Sequence, residues 1–263
     1  MASIAPDVEQ VTIKLRSEAG LKLAGVDVSN DYGTPNVLFL YYTPFIPDDR
    51  KLDLDAIQDE FQTWNAWELG QAETQLIRHV EAGNLPSDDS IASRVIRNNY
   101  RSKAIDFFRQ GNEAWLSLAN NATAQKVIVT AQSEAHGSIR QEMRALAAEQ
   151  HLQSQFEVII NAISGSVEVA EENKFYFTHV YYRYDNDSRT FLPVISDTTF
   201  GIRKEEEGSQ AGADKVKLEI NLSVNTYNFD RRFWRDHRHE GEEAIQMGEP
   251  IRKQMALDFY VNS

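Results

Sequence analysis

The sequence predicts an α+β protein: one domain, 1–263, built on a central antiparallel β-sheet with long C-terminal strands, flanked by helical layers from the N-terminal half. Three observations predict it. Residues 175–229 hold three long strand-like runs joined by turn-rich segments. Most of the chain before them, about 53–163, carries helical spacing. The two patterns are segregated along the chain, with no internal repeat, low-complexity tract or obvious linker between them.

The β-meander spans about 167–229. Its first strand, Phe175 to Tyr184, is rich in aromatic and β-branched residues, which suit a pleated, half-buried surface. Phe175, Phe177, His179 and Tyr181 share one face, and Tyr176, Thr178, Val180 and Tyr182 share the other. Both faces are largely apolar, so the strand is expected in the sheet interior with cover on both sides. The second strand runs from about Phe191 to Arg203. In the third, from about Val216 to Phe229, Val216, Leu218, Ile220, Leu222 and Val224 alternate with Lys217, Glu219, Asn221, Ser223 and Asn225, which predicts one buried and one wet face. Asp185-Asn-Asp-Ser188 is turn chemistry. Lys204 to Asp214 is a polar, glycine-containing loop.

Earlier in the chain, Val11–Arg16 and Leu21–Val28 carry short strand patterns. Val37–Tyr42 is a continuous apolar run and reads as a buried strand, ended by Pro44 and Pro47. Asp53 is placed to cap a helix whose stripe is Leu54, Ile57, Phe61 and Trp64, continued past Gly70 by Leu76, Ile77 and Val80. Ala82–Pro86 breaks it. Ser87 precedes a second stripe through Ile91, Val95, Ile105 and Phe108, with Gly111 suggesting a bend and Asn120-Asn121 an end. Lys126–Thr130 fits a strand or a helix start. Ser138–His151 is helical by propensity. Phe156–Ala170 is ambiguous, Arg231–Met247 is polar, and Ile251–Tyr260 reads as a short closing helix.

Composition removes several function classes. A chain of 263 residues can bury a substantial core, and with no cysteine it has no disulfide, thiolate metal site, cysteine nucleophile or S-acylation site. The formal charge of −13 argues against nucleic acid as a partner. No apolar run approaches the ~20 residues of a membrane helix. The start, Met-Ala-Ser-Ile-Ala-Pro-Asp, carries no signal-peptide pattern, so the expectation is a soluble protein, cytoplasmic or exported without a classical signal.

No motif names a reaction. There is no Gly-x-Ser-x-Gly elbow, no Ser-x-x-Lys constellation and no glycine-rich phosphate loop. His237, His239 and Glu240 are the densest run of metal-type ligands, but Arg231, Arg232, Arg235 and Arg238 are poor neighbours for a cation, so the segment reads as a solvated polar connection. Asp185–Ser188 lacks the Gly and the distal Glu of a calcium loop. Trp64, Trp67 and Trp115 sit at spacings consistent with helical core stripes. With Phe61, Phe107, Phe108, Phe177 and Tyr181, Trp64 and Trp115 form a candidate lining for an apolar ligand between helices and sheet. No cofactor is expected beyond such a bound fatty acid or lipid.

The succession of long strands over roughly the last 90 residues (Phe175–Tyr184, Leu192-Pro-Val194 leading to Phe200-Gly-Ile202, and Val216–Tyr227) resembles the Bacillus cytolytic (Cyt) toxins, the mushroom volvatoxins and the Erwinia virulence factor (Evf) group. The resemblance implies one domain with helical layers around an antiparallel sheet, and a toxin- or virulence-type role at a membrane or lipid surface. The cysteine-borne acyl chain of the Evf group has no residue to carry it here. Strand length and alternation suit membrane staves, which need about 9–11 residues, as well as a sheet in a soluble protein. Three classes therefore stay open: a protein that engages membranes or lipid with its sheet sheltered by helices, a soluble binding or interaction module, and an enzyme of unrecognised type.

Overall fold

The computed structural model describes residues 22–23, 26–27, 36–44, 46, 48–111, 113–149, 172–206 and 215–261. Val11–Arg16 and Phe156–Ala170 lie outside them. The short segments β1 (Lys22–Leu23) and β2 (Val26–Asp27) form a two-stranded antiparallel ladder. The main sheet comprises β3 (Val37–Pro44), β4 (Leu116–Ala131), β5 (Glu172–Asp185), β6 (Thr190–Glu206), β7 (Lys215–Phe229) and β8 (Ala256–Val261), in the spatial order β4-β7-β6-β5-β3-β8. The α+β class is as expected, but the sheet is mixed. β4, β7, β6 and β5 pair antiparallel, whereas β3 lies parallel to both β5 and β8. Parallel pairing requires a crossover, and helices between β3 and β5 and between β7 and β8 supply it.

β5 sits between β6 and β3, and both of its faces are buried, as its two apolar faces demand. The β5–β6 connection is closed by Asp185, whose carboxylate accepts from the backbone N–H of Asp187 at 3.2 Å and of Ser188 at 3.3 Å.

Five helices complete the described fold: α1 (Lys51–Glu81), α2 (Ile91–Arg109), α3 (Ala135–Glu149), α4 (Arg231–His237) and α5 (Glu242–Met255). α1 starts before Asp53, which lies in its first turn and there opposes the positive end of the helix dipole. Gly83, at φ +75°, follows its C-terminus in the left-handed region where glycine is favoured. The cap of α2 is Ser90, not Ser87; its side chain accepts from Ser93 N at 3.2 Å.

Three local expectations are corrected. α2 ends at Arg109, so Trp115 lies in a turn rather than on a helix. Asn120-Asn121 and Lys126–Thr130 both fall inside β4, a 16-residue strand held by its ladder to β7 with a register shift between Leu118 and Asn120. The closing segment is a helix, Glu242–Met255, followed by a strand, because the last residues pair with β3.

Two cores result. On one face, Phe39, Tyr41, Tyr176, Val180, Tyr182 and Ile195 pack under α1, α2, α4 and α5, through Phe61, Trp64, Ile105, Trp234 and Ile251. On the other, Phe175, Phe177, Phe200, Ile202, Leu218, Ile220 and Leu222 lie under α3, through Ile139, Met143 and Leu146. α1 and α5 cross with their backbones in contact. A Cβ at Gly70 would stand 1.9 Å from Ala244 O, and one at Gly248 would stand 1.8 Å from Ala66 O. Among the described residues no helix is long and apolar enough to cross a membrane.

Candidate functional site

The helix-covered face holds more charge than its core residues announce. Arg97, Arg101, Ile105 and Arg109 follow one another at four-residue spacing on α2; Arg101 and Arg109 reach α1, and Arg97 donates to the carbonyls of Pro86 and Asp88 ahead of the helix. All three arginines are buried, and so are Glu68 and Glu73 on α1. Arg101 pairs with Glu73, its Nη2 donating to Oε2 at 3.0 Å, and its Nη1 donates to Asn98 Oδ1 at 2.8 Å. Arg109 makes a two-point pair with Glu68 through Nε and Nη2. Its guanidinium carbon lies 4.6 Å from the Trp64 ring centroid and 5.2 Å from that of Tyr176.

Glu113 lies beside this pair. Its Oε2 accepts from the indole N–H of Trp64 at 2.8 Å and of Trp115 at 3.0 Å. Burial, reinforced by the negative charge of Glu68, pushes its carboxyl well above the ordinary carboxylate range. The shift favours the protonated acid, and Oε1, the second carboxyl oxygen, is buried without a hydrogen-bond partner among the described residues. Glu68 also accepts from Asn65 Nδ2 at 3.0 Å, and Asn65 Oδ1 accepts from the Tyr41 hydroxyl at 2.9 Å.

The network continues onto the sheet. Asp197 is buried in the interior of β6 and accepts from the hydroxyls of Tyr176 and Tyr227 (the latter at 2.6 Å) and from Asn225 Nδ2 at 2.9 Å. Burial raises its carboxyl pKa, and Arg109 and the three donors oppose that rise. Burial likewise raises the hydroxyls of Tyr176 and Tyr227.

Above this floor the helices stop short of the outer strands. A cavity of about 540 Å³ opens between the C-terminal end of α2 and the β4–β7–β6 surface, lined in part by Arg109, Lys174, Thr199, Asn225 and Tyr227. A second hollow of about 610 Å³ continues it along Gln125, Gly201 and Asn221, with Lys174, Thr199 and Ser223 common to both. This is the wet face foreseen for β7, and β4 extends it through Asn121, Thr123 and Gln125.

The expected apolar lining is split. Phe61, Trp64 and Phe108 belong to the helix-covered core, and Trp115 packs against it. Phe177 and Tyr181 lie across the sheet with α3, because odd and even positions of β5 face opposite ways. Phe107 is 61% exposed. These seven residues do not line one space, and the space that exists is lined by polar and apolar side chains together, Asn121, Ser223 and Asn225 beside Leu116, Leu118 and Tyr227. Trp115 joins Trp67 (ring centroids 5.0 Å) and Trp234 (4.8 Å) in an edge-to-face indole cluster. His237 stacks on Phe233, with Nδ1 2.8 Å from the Phe233 carbonyl oxygen, and His239 and Glu240 sit on the exposed turn that follows. Among the described residues no three metal-type side chains converge.

Sequence reasoning did not single out Arg109, Glu113, Asp197 or Thr199. The signals were present: three arginines along one face of α2 at multiples of four residues, Glu68 one turn after Trp64 on an apolar stripe, and a lone carboxylate in the middle of a strand.

No family model and no curated protein matches this chain. Among solved structures, that of the Evf virulence factor is similar at 11% identity, covering 90% of this chain and 95% of that one, with a TM-score of 0.38. A likeness of that size transfers neither a residue nor an activity to this chain, and it bears on Evf, not on Cyt toxins or volvatoxins.

Proposed function

We propose that this protein engages lipid bilayers through its four antiparallel strands, with α3 as the cover that must leave. One observation carries the reading: the β4–β7–β6–β5 layer is two-faced over its outer half. One side presents Asn121, Gln125, Asn221, Ser223 and Thr199 to the open groove, and the other presents Phe200, Ile202, Leu218, Ile220 and Leu222 to α3. A membrane stave needs a water face and a lipid face in alternation. The strands are 14–17 residues long, more than the ~9–11 that span a bilayer. α3 is the only described helix over the apolar side, and it is amphipathic: Ile139, Met143 and Leu146 face the sheet, while Arg140, Gln141 and Arg144 are exposed. A charge of −13 gives no attraction to anionic lipid, so neutral bilayers are the expected target. A toxin- or virulence-type setting is what the strand resemblance implies.

The test fixes the cover. Lys126 on β4 and Glu142 on α3 stand 3.7 Å apart at their charged ends. In a chain without cysteine, K126C with E142C can be bridged by a reducible bismaleimide. The unbridged protein is expected to release dye from phosphatidylcholine liposomes, the bridged form to be silent, and reduction to restore release. Absence of release and of co-flotation by the native chain, or full activity of the bridged form, overturns the reading.

A further inference from the structure

We infer that the outer edge of β4 is a self-association site, where the strand pairs antiparallel with the β4 edge of a second copy of this chain. Among the described residues β4 is paired along one side only, to β7, so its other side presents a row of backbone N–H and C=O groups. Its 16 residues, at ~3.4 Å each, make that row ~54 Å long, well over twice the length of a usual strand. Proteins blunt such edges with short strands, proline, several charges or a covering element. The opposite edge, β8, is six residues long. β4 has no proline and one charged residue, Lys126, and Val127 and Val129 stand 50% and 51% exposed along it. Charge favours a second copy as the occupant. At −13, two copies repel each other over most of their surface, but β4 carries no acidic side chain and is a strip where they can meet.

The register follows from symmetry. A twofold axis perpendicular to the sheet runs the two strands antiparallel and continues the wet face of one copy into the wet face of the other. Facing side chains then share a face, so the residue on the axis meets its own twin. The register shift between Leu118 and Asn120 confines a regular ladder to residues 120–131, whose middle falls between Gln125 and Lys126. Lys126 on the axis would set two ammonium groups side by side, which is unfavourable. Gln125 is therefore the axial residue. Its amide donates to Glu219 on β7 at 2.7 Å and keeps a second N–H and its carbonyl for the twin amide. Lys126 then faces Ala124 of the second copy, and Val127 faces Thr123. The paired stretch of residues 120–130 supplies about eleven hydrogen bonds, in the range of ordinary interfaces. A strip ~37 Å long and ~10 Å deep buries about 370 Å² per copy, or about 750 Å² in all. That lies below the ~1,000 Å² of stable complexes, so the dimer is a weak one that forms as concentration rises.

The experiment uses the full chain without lipid. Sedimentation velocity from about 2 to about 200 µM should show a monomer–dimer equilibrium, and added salt should strengthen it by screening the repulsion between copies. Gln125 is exposed, so Gln125→Lys should keep the melting temperature while setting like charges face to face across the axis, and it should weaken the dimer at least tenfold. Gln141→Lys makes the same charge change on the exposed side of α3 and should leave the dimer in place. The register is read with single cysteines at Asn121, Thr123, Gln125, Val127 and Val129 and a short bifunctional thiol reagent, the chain having no cysteine of its own. Gln125→Cys should cross-link to its twin, with Cβ atoms ~5 Å apart. Thr123→Cys alone, ~14 Å from its twin, should not, but it should cross-link to Val127→Cys when the two proteins are mixed. The inference is overturned if the chain stays monomeric throughout, if the dimer survives Gln125→Lys, or if cross-linking is uniform along β4 or peaks away from Gln125. Dye release and sedimentation are separate measurements: a monomer that releases dye sinks only this inference, and a dimer that leaves liposomes intact sinks only the bilayer reading.

Discussion

His179 makes this protein sensitive to acid in a way that can be isolated. It lies on the α3 side of β5, stacked with Tyr42 and Tyr181 at centroid distances of 6.0 and 6.3 Å. Its Nδ1 is 3.2 Å from the Tyr42 hydroxyl oxygen and its Nε2 is 3.1 Å from Thr198 Oγ1. Burial lowers its pKa from the usual 6.5 to about 3. The folded state therefore holds the ring neutral while the unfolded chain takes up a proton below pH ~6.5. Stability from this group is complete above 6.5 and is lost as the pH falls from there towards 3. Each pH unit in that window costs about 1.4 kcal/mol, so pH 5 should cost about 2 kcal/mol relative to pH 7.5. Asp197 and Glu113 act in the opposite sense, since carboxyls with raised pKa take up protons earlier in the folded state. They are present in both wild type and His179→Phe, so the difference between those two proteins isolates the histidine. Phenylalanine keeps the stack and cannot titrate. Urea unfolding at pH 7.5, 6.5, 5.5 and 5.0 should show the wild type losing about 2 kcal/mol more than the variant over the series, whatever constant cost the substitution carries. Parallel pH slopes for the two proteins would refute the reasoning.

Gly70→Ala should be disruptive for a purely steric reason. Its Cβ would sit 1.9 Å from Ala244 O, where ordinary contact is ~3.5 Å, so α1 and α5 would have to part by roughly 1.5 Å. A loss of about 3 kcal/mol or more in urea unfolding is expected, at the upper end of overpacking costs. Glu113→Gln should change stability by less than about 1 kcal/mol, because burial and Glu68 already favour the neutral acid that the amide mimics. Glu68→Gln leaves Arg109 as an uncompensated buried cation and should cost about 3–5 kcal/mol. Equal effects of the two glutamine substitutions on the denaturation midpoint would contradict the assigned protonation.

The sequence by itself determined those features that depend on local period and turn chemistry. The two apolar faces of Phe175–Tyr184 require a strand covered on both sides, and the alternation of Val216–Val224 requires one wet face. Both stand as read, because side-chain direction along a strand follows from residue parity alone. The buried strand Val37–Tyr42 and the stripe Leu54–Ile57–Phe61–Trp64 are legible for the same reason. Only the tertiary structure decided the rest. Leu116–Ala131 is strand because β7 offers it a fifteen-residue ladder, against a local pattern that placed an end at Asn120-Asn121 and left Lys126–Thr130 undecided. The chain's last described strand lies beside β3 because Met255 ends a helix next to an open edge. The site was hidden for a further reason. Glu68 and Arg109 are 41 positions apart, and Asp197 and Tyr227 are 30 apart. A charge looks solvated in sequence until its partner arrives from another element, and burial, which sets the chemistry of such groups, is a property of the assembled layers.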